Sequence, residues 1–246
     1  MKIVLLGAAT GMGRAIARQL VERGDSVFVM GIGADDLAKT AADLAARAPK
    51  GGAVGHAVCD LEQPETFAQA LDAADAALGG FDSVVVTAAM FASQEALEAD
   101  TELARRLVTV NYANTVVFCE HVRKRLLARG GGRLTVFSSV AGDRGRKPVG
   151  IYGSSKAGIS HYLESLDHKY HAAGLRVLCV KPGFIKTGMT AGLKPPPFAG
   201  EPEQVATAVI RAMDAGLPLI YTPAIWRLVM LVIRHLPRFV MRKIGF

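Results

Sequence analysis

The chain has 246 residues, of which 50% are apolar and 21% are charged, with 26 glycines and 11 prolines. This composition excludes a disordered or collagen-like chain, because the apolar surface is large enough to offset the entropy lost on folding, and it predicts a domain with a substantial core. The formal net charge is +7, and five of these charges lie between Ala215 and Phe246, a segment without Asp or Glu. Because the rest of the chain has no basic and aromatic stripe, we expect no nucleic-acid partner.

Three widely spaced cysteines, Cys59, Cys119 and Cys179, include no CxxC pair. They predict neither a disulfide framework nor a metal site, as is typical of a reducing cytoplasm. No apolar stretch approaches the roughly 20 residues of a membrane-spanning helix, and the apolar run after Met1 is too short for a signal peptide. We therefore expect a cytoplasmic protein.

Short apolar runs alternate with amphipathic, alanine-rich stretches along the whole chain. The runs predict strands at Lys2–Leu6, Ser26–Met30, Ala53–Val58, Ser83–Thr87, Arg133–Phe137, Leu175–Val180 and Leu219–Tyr221. The stretches predict helices near Met12–Arg23, Ala34–Ala46, Pro64–Leu78, Leu103–Arg129, Tyr152–Ala173 and Pro202–Ala215. Continuously apolar strands are typical of a parallel sheet covered on both faces. The sequence thus predicts a single α/β unit, a Rossmann-type doubly wound parallel sheet of about seven strands with helices on both faces.

A glycine-rich turn follows the first strand and precedes a helix, in the order Gly7-Ala8-Ala9-Thr10-Gly11-Met12-Gly13. Gly7 permits a tight turn, Gly11 lets the backbone approach a pyrophosphate, and Gly13 lets helix and strand pack closely. This order predicts a dinucleotide site with contacts from Gly7, Thr10, Gly11, Met12, Gly13 and Arg14.

Two further positions bear on the nucleotide. Asp60, after the third strand, can accept a hydrogen bond from an adenine amino group or can cap the following helix, and the sequence favours neither. The second strand ends Met30-Gly31-Ile32, without the carboxylate that binds the ribose of NAD or the arginine that binds the phosphate of NADP. The missing acid and the nearby Arg14 favour NADP(H) over NAD(H) by a small margin.

Tyr152 and Lys156 are four residues apart, so a phenol and an ammonium lie on one face of a helix. A phenol has a pKa of about 10, which a neighbouring ammonium and a bound oxidised nicotinamide would lower toward neutrality. Ser139 follows the fifth strand and can donate a hydrogen bond to a substrate carbonyl. This combination is typical of proton transfer to a ketone.

With these motifs the chain resembles a classical short-chain dehydrogenase/reductase over essentially its full length. The matching pieces are GAATGMG, Asp60, VNYAN with Asn111, SSVAG, YGSSK and KPGFIKT. The resemblance implies that Tyr152 is the general acid, Ser139 orients the carbonyl, Lys156 binds the nicotinamide ribose, and Asn111 holds a relay water. It also implies nucleotide contacts from Asp60, Leu61, Ala88, Tyr152, Lys156, Pro182, Gly183, Ile185 and Thr187, and a dimer or tetramer formed through the helices Leu103–Arg129 and Tyr152–Ala173. The family's NNAG motif reads Val86-Thr87-Ala88-Ala89 here, so we expect a weakened structural hydrogen bond.

The second half is similar to a narrower group, the decaprenylphosphoryl-2-keto-erythro-pentose reductases. The similarity lies in Ala141–Pro148, Thr187–Lys194 and Tyr221–Lys243, and it implies a keto sugar carried on a polyprenyl phosphate. Arg144, Arg146 and Lys147 lie between Ser139 and Tyr152. They indicate either a contact to a phosphate or acidic carrier or a solvated loop.

The tail carries an apolar helical face and a separate row of arginines, interrupted at Pro237, which predicts two short helices. The apolar face is Ile225, Leu228, Val229, Val232, Ile233 and Leu236. The pattern predicts peripheral membrane contact through Ile225–Phe246, with closure over the substrate pocket as the alternative. We therefore expect a catalytic domain over residues 1–222, with a substrate lid at about 188–202, and a basic amphipathic tail over residues 223–246.

These observations predict an NAD(P)H-dependent oxidoreductase that reduces a ketone to a secondary alcohol. We expect a lipid-linked keto sugar or another long-chain substrate at the inner face of the cytoplasmic membrane. The alternatives are a soluble 3-oxoacyl carrier-protein reductase and, with less support, a nucleotide-sensing protein without catalysis.

Overall fold

The computed structural model describes residues 1–49 and 52–245. Seven parallel strands form one sheet in the order β3-β2-β1-β4-β5-β6-β7. The strands are β1 (Lys2–Leu6), β2 (Ser26–Gly31), β3 (Val54–Val58), β4 (Ser83–Val86), β5 (Gly132–Phe137), β6 (Leu175–Pro182) and β7 (Leu219–Thr222). The predicted doubly wound parallel sheet is confirmed, and every strand lies within two residues of its predicted bounds.

Helices cover both faces of this sheet. They are α1 (Gly11–Glu22), α2 (Ala34–Arg47), α3 (Thr66–Leu78), α4 (Gln94–Ala99), α5 (Thr101–Val108), α6 (Thr115–Ala128), α7 (Gly150–Tyr170), α8 (Pro202–Asp214), α9 (Ile225–His235) and α10 (Arg238–Met241). Helices α3, α6 and α7 contribute to the apolar core on one face, and α1, α2 and α8 to the core on the other. The central strands are buried between these two cores.

The helix predicted at Leu103–Arg129 is confirmed as one continuous helical stretch over residues 101–128, but it is not regular α-helix throughout. Helix α5 begins after Asp100, whose carboxylate accepts hydrogen bonds from the backbone N–H groups of Glu102 and Leu103. A π-helical segment, Thr109–Asn114, then separates α5 from α6. Such segments are frequent at functional sites, because they shift the side chains that follow relative to a regular helix.

The tail forms two short helices, α9 and α10, with Pro237 between them, as predicted. A third and smaller apolar cluster buries Met230 and Ile233 of α9 against Val140. The predicted apolar face is divided, since Leu228 and Val232 are 60% and 63% exposed whereas Ile233 is buried. Since Ile225–Ile233 is apolar nearly all round, the helix buries one stripe and exposes another. In the described part of the chain, no helix is both long enough and apolar enough to span a bilayer.

Candidate active site

The predicted site residues meet where the strands end at their carboxyl edge. The glycine turn follows β1, Ser138 and Ser139 follow β5, and Gly183 follows β6. The strand order reverses between β1 and β4. In open parallel sheets, ligands bind in the crevice at such a reversal.

The glycine turn has no room for side chains. Gly7 and Gly11 have φ angles of +98° and +51°, in the region that favours glycine. A Cβ atom on Gly7 would lie 2.6 Å from the backbone nitrogen of Ala88, and one on Gly13 would overlap the Gly7 carbonyl. A Cβ atom on Gly11 would lie 3.4 Å from Cγ2 of Thr187, so the turns after β1 and β6 are neighbours.

Thr87 ties the end of β4 to this turn. Its hydroxyl donates to the carbonyl oxygens of Leu6 at 3.2 Å and Gly7 at 3.0 Å. The weakened structural hydrogen bond expected from the departure Val86-Thr87-Ala88-Ala89 stays a prediction, and Thr87 supplies bonds of its own at this position.

The turn otherwise presents backbone and exposed side chains. Thr10 is the exposed N-cap residue of α1 and makes no side-chain capping bond. The guanidinium of Arg14 is folded back and donates to the Ala9 carbonyl. The first N–H groups of α1, from Gly11 to Gly13, have no partner within the helix, as at any helix start. A glycine cradle that any Cβ would fill, with backbone donors at a helix N-terminus, fits a dinucleotide pyrophosphate.

Asp60 makes hydrogen bonds to the turn that directly follows it. Its carboxylate accepts from the backbone N–H of Glu62 at 2.8 Å and from the side-chain amide of Gln63 at 3.2 Å. These bonds stabilise the turn that precedes α3, which begins at Thr66 and not at Pro64. Leu61 is buried beside it, and its carbonyl accepts from Asn114 at 2.6 Å. Asp60 does not cap α3, whose N-cap residue is Glu65, so the helix-cap interpretation is wrong, and the adenine contact of Asp60 stays a prediction.

The end of β2 carries charges that the sequence analysis did not consider. Ile32 is 76% exposed, and the exposed carboxylates of Asp35 and Asp36 lie in the first turn of α2. These charges could have been expected from the sequence, because acidic residues are favoured in the first turn of a helix, where they complement the helix dipole. Their negative charge opposes binding of a ribose 2′-phosphate at this end.

Tyr152, Ser139 and Lys156 are brought together by helix α7 and the loop after β5. The Lys156 ammonium lies 5.8 Å from the centre of the Tyr152 ring and donates to the Phe137 carbonyl at 2.9 Å. The Ser139 hydroxyl accepts from the backbone N–H of Ala141 at 3.1 Å, which leaves its own proton free to donate. Phe91 packs edge-on against the Tyr152 ring with 5.2 Å between centroids.

Two glycines that the sequence analysis passed over let this loop lie against α7. A Cβ atom on Gly142 would lie 2.7 Å from the backbone nitrogen of Ala157. A Cβ atom on Gly153 would lie 2.7 Å from the Ala141 carbonyl oxygen. Glycine at both positions is therefore needed to keep Ser139 close to Tyr152.

Burial sets the protonation of both groups on α7. It raises the pKa of Tyr152 to about 12, which the nearby Ser139 hydroxyl partly offsets, and it lowers the pKa of Lys156 to about 8. Burial dominates the pKa of Tyr152, while the Lys156 ammonium donates to Phe137 and faces the ring of the tyrosine. The lowering of this pKa expected from Lys156 together with an oxidised nicotinamide stays a prediction. At neutral pH Tyr152 is a neutral phenol with a proton to give.

Asn111 lies in the π-helical segment and is 1% exposed. Its side-chain amide donates to the Met90 carbonyl at 2.8 Å and accepts from the Met90 N–H at 2.7 Å. The same amide lies 3.5 Å from the Ser155 hydroxyl, next to Lys156. The side chain thus fixes the segment after β4 against α7. A relay water held at Asn111 stays a prediction.

A tail residue that the sequence analysis did not assign reaches this site. The indole of Trp226 lies directly on Gly183, where any Cβ atom would overlap it, and its N–H donates to the Phe198 carbonyl at 3.2 Å. Pro182 and Ile185 are buried around this contact, and Ile185 pairs with Gly200 at the end of the predicted lid. The tail, the predicted lid and the turn after β6 therefore meet at one point.

The basic loop between Ser139 and Tyr152 is not a freely solvated loop. Arg144 donates to the Leu236 carbonyl at 2.9 Å, and Lys147 donates to the Arg242 carbonyl at 2.7 Å. The solvated-loop interpretation is wrong because these side chains bind the backbone of the tail. Within residues 1–49 and 52–245, no group of three or more His, Cys, Asp or Glu residues could hold a metal ion.

Comparisons with known proteins agree with this geometry. A family model described as short chain dehydrogenase matches residues 1–197. The chain is 32% identical over 241 residues to an uncharacterized oxidoreductase of Mycobacterium tuberculosis, covering 98% of this chain and 96% of that protein. It is 31% identical to a cis-4-hydroxycyclohexanecarboxylate dehydrogenase of Sinomonas cyclohexanicum, covering 87% and 89%.

A solved short-chain type dehydrogenase/reductase from Mycobacterium ulcerans superposes with a TM-score of 0.81 at 27% identity, covering 89% of this chain and 87% of that one. The sheet order, the glycine turn and the pairing of Tyr152 with Lys156 are thus accompanied by similarity over nearly the full length. The chain belongs to the short-chain dehydrogenase/reductase family and is an NAD(P)-dependent oxidoreductase.

Proposed function

We propose that the protein reduces a ketone to a secondary alcohol with NAD(P)H. The observation that carries this proposal is the neutral phenol of Tyr152 beside the Ser139 hydroxyl, at the strand edge that also bears the glycine turn. A group with a pKa of about 12 keeps its proton until charge develops on the carbonyl oxygen of a substrate.

In this mechanism the cofactor, when bound, supplies the hydride for the carbonyl carbon. The Ser139 hydroxyl donates a hydrogen bond to the carbonyl oxygen and holds it in reach of Tyr152. The phenol of Tyr152 then transfers its proton to that oxygen, which completes the alcohol and leaves a phenolate. The Lys156 ammonium, on the same helix face, stabilises this phenolate by its charge. Asn111 keeps the π-helical segment packed beside Ser155.

The residues proposed to hold the nucleotide come from four turns of the strand edge. Gly7 to Arg14 would contact the pyrophosphate, Asp60, Leu61 and Ala88 the adenosine half, and Pro182, Gly183, Ile185 and Thr187 the nicotinamide. We propose a small preference for NADP(H), because Gly31 and Ile32 carry no carboxylate, while the nearby Asp35 and Asp36 limit it.

We further propose a lipid-linked keto sugar or another long-chain ketone as the substrate, reached at the inner face of the cytoplasmic membrane. Leu228, Leu231, Val232 and Phe239 of the tail are all more than half exposed beside basic residues. Phe198 and Leu193, in the proposed lid over residues 188–202, are 47% and 50% exposed. Apolar side chains flanked by arginines suit an anionic lipid surface, where each basic residue contributes about 1 kcal/mol.

Docking of the tail on the body does not conflict with membrane contact. Met230 and Ile233 face the protein, whereas Leu228 and Val232 face outward on the same helix. Residues 223–246 can therefore stay attached to the proposed catalytic domain, residues 1–222, while their outer stripe meets lipid.

A homo-oligomer is also part of the proposal. Val108, Tyr112 and Val117, on α5, the π-helical segment and α6, are about 40% exposed. Exposed apolar side chains on these helices favour pairing of two copies, as a dimer or within a tetramer. Sedimentation equilibrium of the full chain beside a Val117→Glu variant tests this interface, and an unchanged mass would reject it.

The deciding experiment is a reductase screen that follows the absorbance of NADPH and NADH. Keto sugars on polyprenyl phosphate are compared with 3-oxoacyl thioesters, and each is run with the wild-type chain and with Tyr152→Phe. We expect turnover of the lipid-linked ketone by the wild-type chain alone. Turnover of the thioesters only would support the soluble 3-oxoacyl carrier-protein reductase, and nucleotide binding without turnover of any ketone would support a sensing role.

Membrane contact is tested separately by sedimentation with vesicles of phosphatidylcholine, with or without phosphatidylglycerol. The variant Leu228→Glu with Val232→Glu changes only the exposed stripe of α9, whereas truncation of the tail would also uncover the small core around Met230. We expect the wild-type chain to pellet with the anionic vesicles and the double variant to remain in the supernatant. Equal behaviour of the two proteins would reject the membrane proposal.

A further inference from the structure

A cavity of about 440 Å³ lies between the loop after Ser139 and the last helix of the tail. Its wall includes five cationic side chains and one apolar one, namely Arg144, Arg146, Lys147, Arg238, Arg242 and Met241. None of its lining residues is acidic. Because these cations come from two segments almost 100 residues apart, folding assembles the cavity, and it is not a run of charge in the sequence.

None of the five cations of this cavity forms an ion pair with a carboxylate in the described part of the chain, although Arg146 lies within the field of Asp143. No Asp or Glu residue follows Asp214 in the sequence. The carboxylate in the loop, Asp143, is engaged by the Lys181 ammonium at 2.5 Å and by the Tyr221 hydroxyl at 2.7 Å. Neither Arg238 nor Arg242 forms an ion pair with any residue of 1–49 or 52–245.

Hydrogen bonds hold the two walls of the cavity together, and one buried hydrogen-bond donor in the wall has no partner among the described residues. The side chains of Arg144 and Lys147 bind backbone carbonyls of the tail, so they hold the two walls together. The Nε atom of Arg146 is buried and has no hydrogen-bond partner among the described residues. A buried guanidinium donor without a partner is unfavourable unless a ligand supplies the acceptor.

We propose that this cavity binds a phosphate or diphosphate group. Guanidinium groups bind phosphate oxygens in pairs of parallel hydrogen bonds, and several cations around one concave site suit a dianion or trianion better than a single carboxylate. A concave site of this volume has room for a small anionic group, whereas the acidic face of a carrier protein would need an extended surface. The site is distinct from the end of β2, where the nucleotide phosphate is expected.

The cavity is close enough to the reacting groups to anchor their substrate, an extension that rests on the proposed function. Arg144 lies five residues after Ser139, and Tyr152 lies five residues after Lys147. Five residues span at most about 18 Å, so both sides of the loop are within that distance of the carbonyl site. One molecule with a phosphate and a ketone can therefore occupy both positions.

The test is a calorimetric titration of the full chain with inorganic pyrophosphate at constant ionic strength. The protein is first saturated with NADP⁺, so that pyrophosphate cannot bind at the glycine turn. The wild-type chain is compared with Arg238→Glu/Arg242→Glu and with the matched control Arg227→Glu/Lys243→Glu. Both double variants change the net charge equally, and all four side chains are exposed residues of the same tail, but only the first pair lines the cavity.

We expect the cavity variant to bind pyrophosphate at least about tenfold more weakly than the wild-type chain, since charge-assisted hydrogen bonds are lost and repulsion replaces them. The control should stay within about threefold, because only the long-range field changes. No binding by the wild-type chain, or equal weakening in both variants, would overturn the proposal. The titration needs no turnover, so it tests the anion site independently of the reaction. If the protein binds pyrophosphate but reduces no ketone, the proposed function is refuted and the anion site still stands.

Two competition arms identify the source of the phosphate. Displacement of pyrophosphate by geranyl phosphate would assign the cavity to a phosphorylated substrate, and displacement by vesicles containing phosphatidylglycerol only would assign it to a lipid headgroup. Either result supports the site. Displacement by an acidic acyl carrier protein, but by neither of these, would overturn the assignment to a small phosphate group.

Discussion

Replacing Lys156 by methionine should make the protein more stable at neutral pH and far less active. Lys156 is 3% exposed, and burial lowers its pKa from the ordinary 10.5 to about 8. A lowering of this size means that holding the ammonium in the folded chain costs about 3 kcal/mol. The substitution removes that cost but also removes the bond to the Phe137 carbonyl, worth about 1–3 kcal/mol. The expected gain in free energy of unfolding at pH 7 is therefore between zero and about 2 kcal/mol.

The pH dependence separates this effect from other consequences of the substitution. Between pH 8 and 10.5 the unfolded chain holds the lysine proton and the folded chain does not, so this group makes the wild-type protein more stable as the pH rises. From pH 7 to pH 10 the wild-type chain should gain about 2.5 kcal/mol relative to Lys156→Met. Urea unfolding of both proteins, followed by circular dichroism across this range, measures the difference. Parallel stability curves would refute the lowered pKa and with it the assignment of a buried charge.

The remaining predictions concern the phenol, the nucleotide and the tail. Tyr152→Phe should lower turnover by about 10²- to 10⁴-fold while NADPH still binds, measured by steady-state kinetics and cofactor fluorescence; substantial remaining activity would exclude Tyr152 as the proton donor. Gly31→Asp should shift the ratio of kcat/KM toward NADH, since a carboxylate pairs with the ribose diol and repels the 2′-phosphate. The Cβ atom of this aspartate would lie in ordinary contact with Leu37 at 3.5 Å, so the side chain fits without distorting the strand. An unchanged ratio would therefore mean that the end of β2 does not face the ribose. Gly183→Ala should displace the indole of Trp226 and shift its emission to longer wavelength, and an unshifted spectrum would contradict that contact.

The strands could be predicted from the sequence because buried parallel strands are continuous apolar runs, such as Ile3–Leu6 and Val84–Val86. The start of the predicted long helix and the π-helical segment within it could not be predicted, because they depend on bonds between side chain and backbone. Asp100 starts α5 by capping it, and Asn111 is fixed in the π-helical segment by Met90, from a distant part of the chain. Periodicity contains no information on either contact.

The candidate site also has a part that the sequence motifs predict and a part that depends on contacts between different elements. The motifs located Ser139, Tyr152 and Lys156, because their spacing alone brings them to one helix face and one strand end. The partner of Lys156 could not be read from spacing, since the Phe137 carbonyl belongs to another element. The orientation of α9 was also hidden, because a helix that is apolar nearly all round does not specify which stripe is buried. Trp226 on Gly183 is a consequence of that orientation.

The third apolar cluster has a consequence for how the tail moves. In this cluster the buried side chains of α9 are Met230 and Ile233, whose burial contributes about 3–6 kcal/mol, against about 5–15 kcal/mol for unfolding a whole domain. Local unfolding of α9 should therefore occur while the sheet stays intact, and amide hydrogens of α9 should exchange with solvent faster than those of β1. For any ligand that enters only when α9 is open, the apparent affinity is the intrinsic affinity reduced by the open fraction. The packing of Met230 and Ile233 thus sets the apparent affinity for such ligands without contacting them.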